Sequence, residues 1–165
     1  MIFVTVGTQL PFDRLVKCVD AWAKCNQEQD IFIQSGPTAY EPRHCRWRKF
    51  VPQESFDYCL GRAELIVAHA GVGSILSALE FGKPIIVLPR RFEFQEHRND
   101  HQFATAQRFG SIPSVNVAWS THELTKLLSS TKVTKREGGV SSSAGETLIG
   151  RIREFVHANS DTPKG

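Results

Sequence analysis

The chain has 165 residues, enough for one domain built on a single hydrophobic core. Hydrophobic residues make up 41% and charged residues 22%, as in soluble globular proteins, and no apolar run approaches the roughly 20 residues of a membrane span. The net charge of +3 is too small to indicate a nucleic-acid-binding protein, although it suits a phosphorylated ligand or an anionic membrane face. The four cysteines form no CxxC pair, so we expect free thiols in a reducing cytoplasm rather than a zinc site or disulfides.

The first half of the chain alternates strand-like and helix-like patterns. Residues 2–6 are apolar or β-branched and lack the features of a signal peptide, so they predict a first strand. After a turn over 7–11, apolar residues recur at helical spacing as Leu15, Val16, Val19, Trp22 and Ala23. The next predicted elements are a strand at 31–35, a loop over 38–48, a short strand at 49–51 and a helix near 53–62.

The segment that runs from an apolar strand at 65–68 to Gly82 is the most informative. The strand ends at the polar His69, and the glycine turn at 71–73 then allows the backbone to reverse. Ser74 suits the N-cap of the following helix, and Gly82 suits the left-handed position at its end. A helix that opens from such a turn directs free N–H groups and its positive dipole end at one spot. That spot attracts phosphate.

The second half continues the alternation. The pattern predicts a strand at 85–89, a loop over 90–98, a helix at 99–109, a strand at 115–117 and a helix from the capping box Ser120–Glu123 to about 128. Residues 129–146 are rich in Ser, Thr, Gly and Lys and predict a flexible loop. Residues 147–165 predict a final helix and tail, with an apolar face that is a candidate for partner docking.

Strands that alternate with helices at this spacing predict an α/β fold with an open parallel, Rossmann-like sheet and helices on both faces. Ligands of such sheets bind outside the carboxyl ends of the strands. We therefore expect four segments to meet at that edge: Gly7-Thr8, Ser35-Gly36, residues 69–74 and residues 90–102.

The glycine turn does not fit a dinucleotide-binding fingerprint. Leu76 stands where the third glycine should be, and the turn follows a middle strand rather than the first one. About 20 residues further on there is Arg90-Arg91 instead of an acidic residue for a ribose. The sequence has no Walker A pattern either, so the phosphate ligand belongs to another class.

Four blocks carry a resemblance to a known family; at 3–8, 69–76, 82–90 and 96–102 they read FVTVGT, HAGVGSIL, GKPIIVLPR and EHRNDHQ. Over roughly residues 1–128 the chain resembles the carboxyl-terminal half of GT-B glycosyltransferases of family 28. It is similar to the small soluble subunits of two-component UDP-sugar transferases, of the dolichol-linked GlcNAc transferase and bacterial exopolysaccharide or capsule types. The resemblance implies the donor-binding half of a GT-B fold.

A UDP-sugar site is what the resemblance implies at the carboxyl edge. His69 and the glycine turn would hold the diphosphate, and Gln102 matches a glutamine that related transferases place on the donor sugar hydroxyls. Arg90 or Arg91 would stabilise the charge of the leaving group. The residues expected to bind the donor are Gly7, Thr8, Gly71, Gly73, Ser74, Ser77, Glu80, Arg90, Asp100, His101 and Gln102.

One position departs from the family pattern. The family usually carries a glutamate for the ribose hydroxyls five residues before the glycine that ends the helix, and this chain has Ser77 there. Glu80 lies one turn further along, nearly on the same face, and is the candidate to replace it.

The resemblance implies an inverting transfer that uses no metal and no cofactor besides the UDP-sugar. Helix and loop N–H groups can stabilise the negative charge of the leaving diphosphate. His69 and His97 are the candidate catalytic side chains. The base for the acceptor hydroxyl stays open between His97, Asp13 and a residue of a partner.

A GT-B enzyme needs two domains that face each other across a cleft, and this sequence supplies one. The resemblance implies a separate, membrane-anchored subunit that binds a polyprenyl-linked acceptor and holds this chain at the cytoplasmic face of the membrane. Two other hypotheses stay open: a non-catalytic accessory subunit of a glycosyltransferase, and an unrelated module that binds nucleotides or phosphosugars.

Overall fold

The computed structural model describes residues 1–131. The helices are α1 (Asp13–Lys24), α2 (Gln53–Arg62), α3 (Val72–Glu80), α4 (His101–Phe109) and α5 (Thr121–Ser130). The strands are β1 (Ile2–Thr5), β2 (Ile31–Gln34), β3 (Arg46–Arg48), β4 (Leu65–His69), β5 (Ile85–Leu88) and β6 (Val115–Val117). Within these residues the strands form one parallel sheet in the order β3-β2-β1-β4-β5-β6. The expected open parallel α/β sheet is confirmed.

Helices cover both faces of the sheet because its central strands are apolar on both sides. Along β1, Ile2 and Val4 join the cluster that holds the apolar side chains of α1 and α5. Phe3 points the other way, into the cluster formed with α2, α3 and α4. This double burial explains why the central strands read as continuous apolar runs in the sequence.

The third strand does not lie where the sequence predicts it. The pattern favours a strand at 49–51, but β3 lies within the stretch 38–48 that was expected to be a loop. β3 is the edge strand, and its arginines Arg46 and Arg48 are exposed, so it carries no apolar signal. Its parallel pairing with β2 defines it instead.

Three helix boundaries also differ from the prediction. α3 begins at Val72 with Gly71 as its N-cap, so Ser74 is the third helical residue and not the cap. α4 begins at His101 rather than at 99, and α5 continues to Ser130 rather than ending near 128. These shifts are confined to helix termini, where local sequence signals are weakest.

Two predicted caps are confirmed. At the start of α5 the Glu123 N–H donates to Ser120 Oγ at 3.1 Å. At the end of α3, Gly82 adopts φ +63° and its N–H donates to the Leu79 carbonyl at 3.0 Å. The Lys83 N–H reaches back to the Ala78 carbonyl at 2.8 Å, which completes a Schellman motif.

The predicted C-terminal features fall mostly beyond residue 131. Residues 129 and 130, expected in a loop, belong to α5. The remainder of the expected loop to residue 146 and the expected helix and tail at 147–165 lie outside the described residues. Over residues 1–131, no helix has both the length and the apolar character needed to cross a membrane.

We expect Gly82→Ala to lower the free energy of unfolding by about 1 kcal/mol, because a side chain disfavours the left-handed conformation. The new Cβ meets no atom within 4 Å, so the loss is conformational. Urea unfolding measures it. Gly73→Ala is the matched control, since its Cβ also meets nothing within 4 Å while its backbone is helical. An equal loss in both variants contradicts the role assigned to Gly82.

Candidate anion-binding site

Three strand ends meet near the middle of the carboxyl edge of the sheet. β4 lies between β1 and β5, so the connections that follow these strands are neighbours. Gly7 follows β1, His69 closes β4, and Arg90 follows β5. Two helices add Ser74 from α3 and Gln102 from α4. The structure thus brings together residues from three of the four segments expected at this edge. In the fourth, Gly36 lies against Gly7, because a Cβ on Gly36 would be 2.6 Å from the Gly7 carbonyl oxygen.

The ring of His69 fills a gap that two glycines leave open. A Cβ on Gly71 would lie 2.2 Å from His69 Cε1, and a Cβ on Gly7 would lie 2.9 Å from His69 Nε2. Gly7 also has φ +77°, a conformation that favours glycine. Gly71 and Gly7, expected to bind the donor, are therefore required in this structure to make room for the ring.

Both ring nitrogens of His69 have hydrogen-bond partners. The Arg90 backbone N–H donates to Gln102 Oε1 at 3.1 Å, which turns the Gln102 amide nitrogen toward His69. That nitrogen donates to His69 Nδ1 at 3.1 Å, so the ring proton sits on Nε2 and is donated to Ser74 Oγ at 3.0 Å. Within residues 1–131, Ser74 Oγ has no other partner.

Burial keeps His69 uncharged. It lowers the pKa of this histidine to about 4, with smaller contributions in the same direction from the charges of Arg90 and His97. The hydrogen bond with Gln102 acts in the opposite direction and is outweighed. His69 was expected to be a catalytic side chain that holds the diphosphate, and in this structure both of its ring nitrogens are engaged within the protein. Its geometry is that of a side chain that orients others.

The start of α3 is open to solvent and uncapped. No side chain of the described residues accepts a hydrogen bond there, and the first N–H groups of a helix have no intrahelical acceptor. Val72 and Gly73 are exposed, and a Cβ on Gly73 would meet nothing within 4 Å. The helix dipole and these N–H groups favour an anion at this point.

Arg90 stabilises the protein rather than facing this opening. Its side chain is 3% exposed, and Nη2 donates to the carbonyl oxygens of Val6 and Leu10, both at 2.7 Å. The guanidinium also lies 5.0 Å from the Phe12 ring centroid. Burial lowers the pKa of Arg90 to about 10, so it remains charged at neutral pH. The expectation that Arg90 contacts the donor does not fit these bonds, which hold the β1–α1 loop against β5.

A second arginine, which the sequence analysis missed, holds the loop after β5. Arg14 on α1 donates two hydrogen bonds of 2.7 Å to the Glu96 carboxylate and one of 2.9 Å to the Pro89 carbonyl. Glu96 also accepts the Arg91 N–H at 3.0 Å. Because Arg14 and Glu96 are 82 positions apart, no local pattern in the sequence connects them.

The loop that Arg14 holds borders a cleft of about 450 Å³. Its lining residues are Leu10, Pro11, Phe92, Glu93, Gln95, Glu96, His97 and Arg98. His97 Nδ1 lies 3.1 Å from Asn99 Oδ1, while Nε2 has no partner in the described part of the chain. His97 therefore keeps the position expected of a candidate base, at a cleft and with one ring nitrogen available.

Four other predicted residues are engaged elsewhere or stand apart. Asp13 accepts the Tyr40 N–H at 2.8 Å, and Asp100 accepts the Phe92 N–H at 3.1 Å, so both carboxylates serve to fix loops. Thr8 and His101 are exposed. The structure gives none of the four a bond to the network around His69.

The two candidates for ribose recognition lie further along α3. Ser77 is half-buried one turn beyond Ser74, and Glu80 is the exposed last residue of the helix.

Across residues 1–131, no group of three or more His, Cys, Asp or Glu side chains is placed to hold a metal ion.

A family comparison covers this whole arrangement. The model of the glycosyltransferase family 28 C-terminal domain matches residues 1–135. The chain belongs to this family. All sheet strands and the residues around His69 fall inside the matched range.

Two mammalian relatives of this family 28 domain carry the same name. The human protein "UDP-N-acetylglucosamine transferase subunit ALG13" is 30% identical over 117 residues, which is 65% of this chain and 10% of that protein. The mouse protein of the same name is 32% identical over 117 residues, or 64% of this chain and 10% of that protein. The chain thus spans about a tenth of the length of these relatives.

Solved structures share the fold of this family 28 domain at lower identity. A structure of ALG13 determined by NMR has TM-score 0.61 and 20% identity, and the similarity covers 97% of this chain and 96% of that one. The glycosyltransferase of kitacinnamycin has TM-score 0.63 and 18% identity, covering 94% of this chain and 39% of that one. MurG of Acinetobacter baumannii has TM-score 0.54 and 18% identity, covering 77% and 40%. The shared fold makes up nearly the whole chain of the ALG13 structure. In the kitacinnamycin glycosyltransferase and in MurG it makes up about 40% of a longer chain.

The lowered pKa of His69 predicts a loss of stability in acid. An unfolded histidine takes up its proton near pH 6.5, whereas folded His69 does so near pH 4. Between these values the unfolded state binds more protons, so the free energy of unfolding falls as the pH drops, by roughly 3 kcal/mol in total. Urea unfolding from pH 7 to pH 4 measures the slope.

His69→Asn is the control for that measurement. The variant starts from a lower stability, but it lacks the titrating ring, so its stability should fall less steeply between pH 6.5 and 4. Parallel curves for the two proteins contradict the assignment of a neutral, buried His69.

Proposed function

We propose that this family 28 domain binds the diphosphate of a UDP-sugar at the start of α3 and serves as the donor-binding part of a glycosyltransferase. The observation that carries the proposal is the open, uncapped helix start beside the Ser74 hydroxyl, at the edge of the sheet where ligands of such folds bind. Family membership supports the transfer of a glycosyl group and argues against an unrelated binding module.

UDP-N-acetylglucosamine is the donor to test first, because two relatives are named as subunits of a transferase for that sugar. In the proposed reaction an acceptor hydroxyl attacks the anomeric carbon of the donor. The bond from that carbon to the β-phosphate oxygen breaks, and UDP leaves with the bonding electrons. Attack opposite the leaving group inverts the anomeric centre.

The negative charge that develops on the β-phosphate is stabilised by fixed dipoles under this proposal. The first N–H groups of α3 and the Ser74 hydroxyl supply donors without a metal ion. His97, at the cleft with Nε2 unpaired, is the candidate in this chain to accept the proton of the acceptor hydroxyl. A base on a partner is the other possibility.

The acceptor half of the enzyme belongs to a second protein in this proposal. The relatives are named as subunits, and two of the similar solved structures contain this fold as about 40% of a larger chain. A membrane-anchored partner that binds a polyprenyl-linked acceptor would place this chain at the cytoplasmic face of the membrane.

Titration calorimetry with UDP tests the site directly. The full chain should bind UDP with equal affinity in magnesium and in a chelator. Gly73→Leu should lower that affinity at least tenfold, because helical side chains lean toward the N-terminus and this one would cover the anion position. The substitution fills empty space, so the melting temperature should not fall.

Gln107→Leu provides the matched control, since it adds the same side chain at an exposed position near the C-terminal end of α4. Full UDP affinity in that variant with weak binding in Gly73→Leu supports the proposed site. Equal UDP binding by both variants rejects the start of α3 as the diphosphate site.

A non-catalytic accessory subunit is the second candidate function. It is favoured by Ser77, which replaces the expected ribose-binding glutamate, while Glu80 is exposed at the far end of α3. The two functions separate when Gly73→Leu is expressed in cells with the partner. Loss of sugar transfer by an intact complex supports donor binding, whereas unchanged transfer supports the accessory role.

A further inference from the structure

The side chain of Gln102 is enclosed by the protein in a way that its expected role does not explain. It is 7% exposed, its Oε1 accepts the Arg90 N–H, and its Nε2 donates to His69 Nδ1. A glutamine side chain has two N–H donors and two carbonyl lone pairs. One of each is already bonded inside the protein, and a role in binding sugar hydroxyls does not account for these two bonds.

We propose that Gln102 and His69 are positioning residues that commit the Ser74 hydroxyl to donate a hydrogen bond to the ligand's phosphate. This inference rests on the proposed function for the identity of the ligand. The hydrogen-bond chain itself is independent of that function.

The direction of the chain is set at its first member. A backbone N–H can only donate, so the Arg90 N–H fixes the oxygen end of the Gln102 amide and the amide nitrogen must face His69. His69 Nδ1 then accepts and Nε2 carries the proton. Ser74 Oγ accepts a hydrogen bond from the Nε2–H of His69. Its own O–H is then a donor with no acceptor among residues 1–131.

The chain is held against rearrangement by packing. The His69 ring packs directly against Gly7 and Gly71, since a Cβ on either glycine would lie within 3 Å of a ring atom. Gln102 is anchored on α4 and Arg90 directly after β5. Ser74 therefore presents one oriented donor beside the free N–H groups of α3, in a network whose side chains carry no charge. Donors fixed before the ligand arrives need no reorganisation.

Gln102→Glu reverses the chain with almost no change in shape. A carboxylate accepts from the Arg90 N–H and also requires a proton on His69 Nδ1. When His69 is neutral, its single ring proton then sits on Nδ1, and Nε2 has none. Nε2 becomes an acceptor, so the Ser74 hydroxyl donates to the ring instead of to phosphate. When His69 is protonated, both ring nitrogens donate and the original role of Ser74 returns.

The test is calorimetry with UDP and with UDP-N-acetylglucosamine on the full chain. Gln102→Glu should weaken UDP binding about tenfold at pH 8 and UDP-N-acetylglucosamine binding at least as much, and the loss of UDP affinity should shrink as the pH falls and His69 in the variant gains its proton. Arg90, His97 and the new carboxylate are the charged groups that act on this ring. If UDP affinity stays unchanged and only UDP-N-acetylglucosamine binds more weakly, Gln102 acts on the sugar and not through Ser74, which overturns the proposal.

Two controls separate the relay from added charge. Gln107→Glu makes the same substitution at an exposed position of the same helix and should leave both affinities within twofold of wild type. In a double-mutant cycle, Ser74→Ala should abolish the effect of Gln102→Glu, because the relay acts only through the hydroxyl. Additive losses in the double variant overturn the proposal.

A spectrum of the histidine ring nitrogens tests the relay without any ligand. Nitrogen-15 NMR of the free protein at pH 7 should show His69 Nδ1 unprotonated and Nε2 protonated, and Gln102→Glu should add a proton to Nδ1. If wild-type protein binds no UDP, the proposed function fails. The spectrum then still tests the hydrogen-bond chain from Gln102 through His69 to Ser74. A proton on Nδ1 in wild-type protein overturns it.

Discussion

The partly buried ring of His69 is the contact on which the geometry of this sheet edge depends. It occupies space that Gly7 and Gly71 leave open, and its two nitrogens connect the end of β4 to α3 and α4. Through Gln102 the same chain reaches the backbone after β5. Backbone hydrogen bonds hold the strands, but a side chain holds the connections that follow them. Loss of the ring would leave a cavity and unpaired buried polar groups, each costly to the fold.

The positive charges near this edge serve the fold before they serve a ligand. Arg90 donates to two backbone carbonyls and Arg14 to Glu96, so their guanidinium groups are committed to loop positions. Asp20 on α1 fixes another loop, the one before β3, because its carboxylate accepts from the Tyr40 hydroxyl and from the backbone N–H groups of Arg43 and His44. Its burial raises the pKa of the carboxyl, yet these hydrogen bonds lower it overall. The first N–H groups of α3 are uncapped dipoles, and a helix start of this kind suits an anion whose charge grows during a reaction.

The cleft beside His97 lies on the side of the domain where the β1–α1 and β5–α4 connections meet. Phe92 and Phe94 are exposed in the same loop, which the Arg14–Glu96 pair keeps in place. Under the proposed function, this is the side from which an acceptor must approach the donor sugar. In the proposed enzyme, the second protein forms the other side of this cleft.

The fold class, most strand and helix positions, the caps at Ser120 and Gly82, and the carboxyl edge of the sheet as the place of the site were all predictable from the sequence. Periodicity and turn residues act within a few positions of the chain, so they can be read locally. Four features were not predictable in this way: Arg90 holds a loop, the Gln102 side chain is bonded inside the protein, Arg14 pairs with Glu96, and β3 precedes its expected place. Each of these depends on contacts between segments far apart in sequence, 33 positions for Gln102 with His69 and 82 for Arg14 with Glu96. Such contacts exist only once the sheet has assembled.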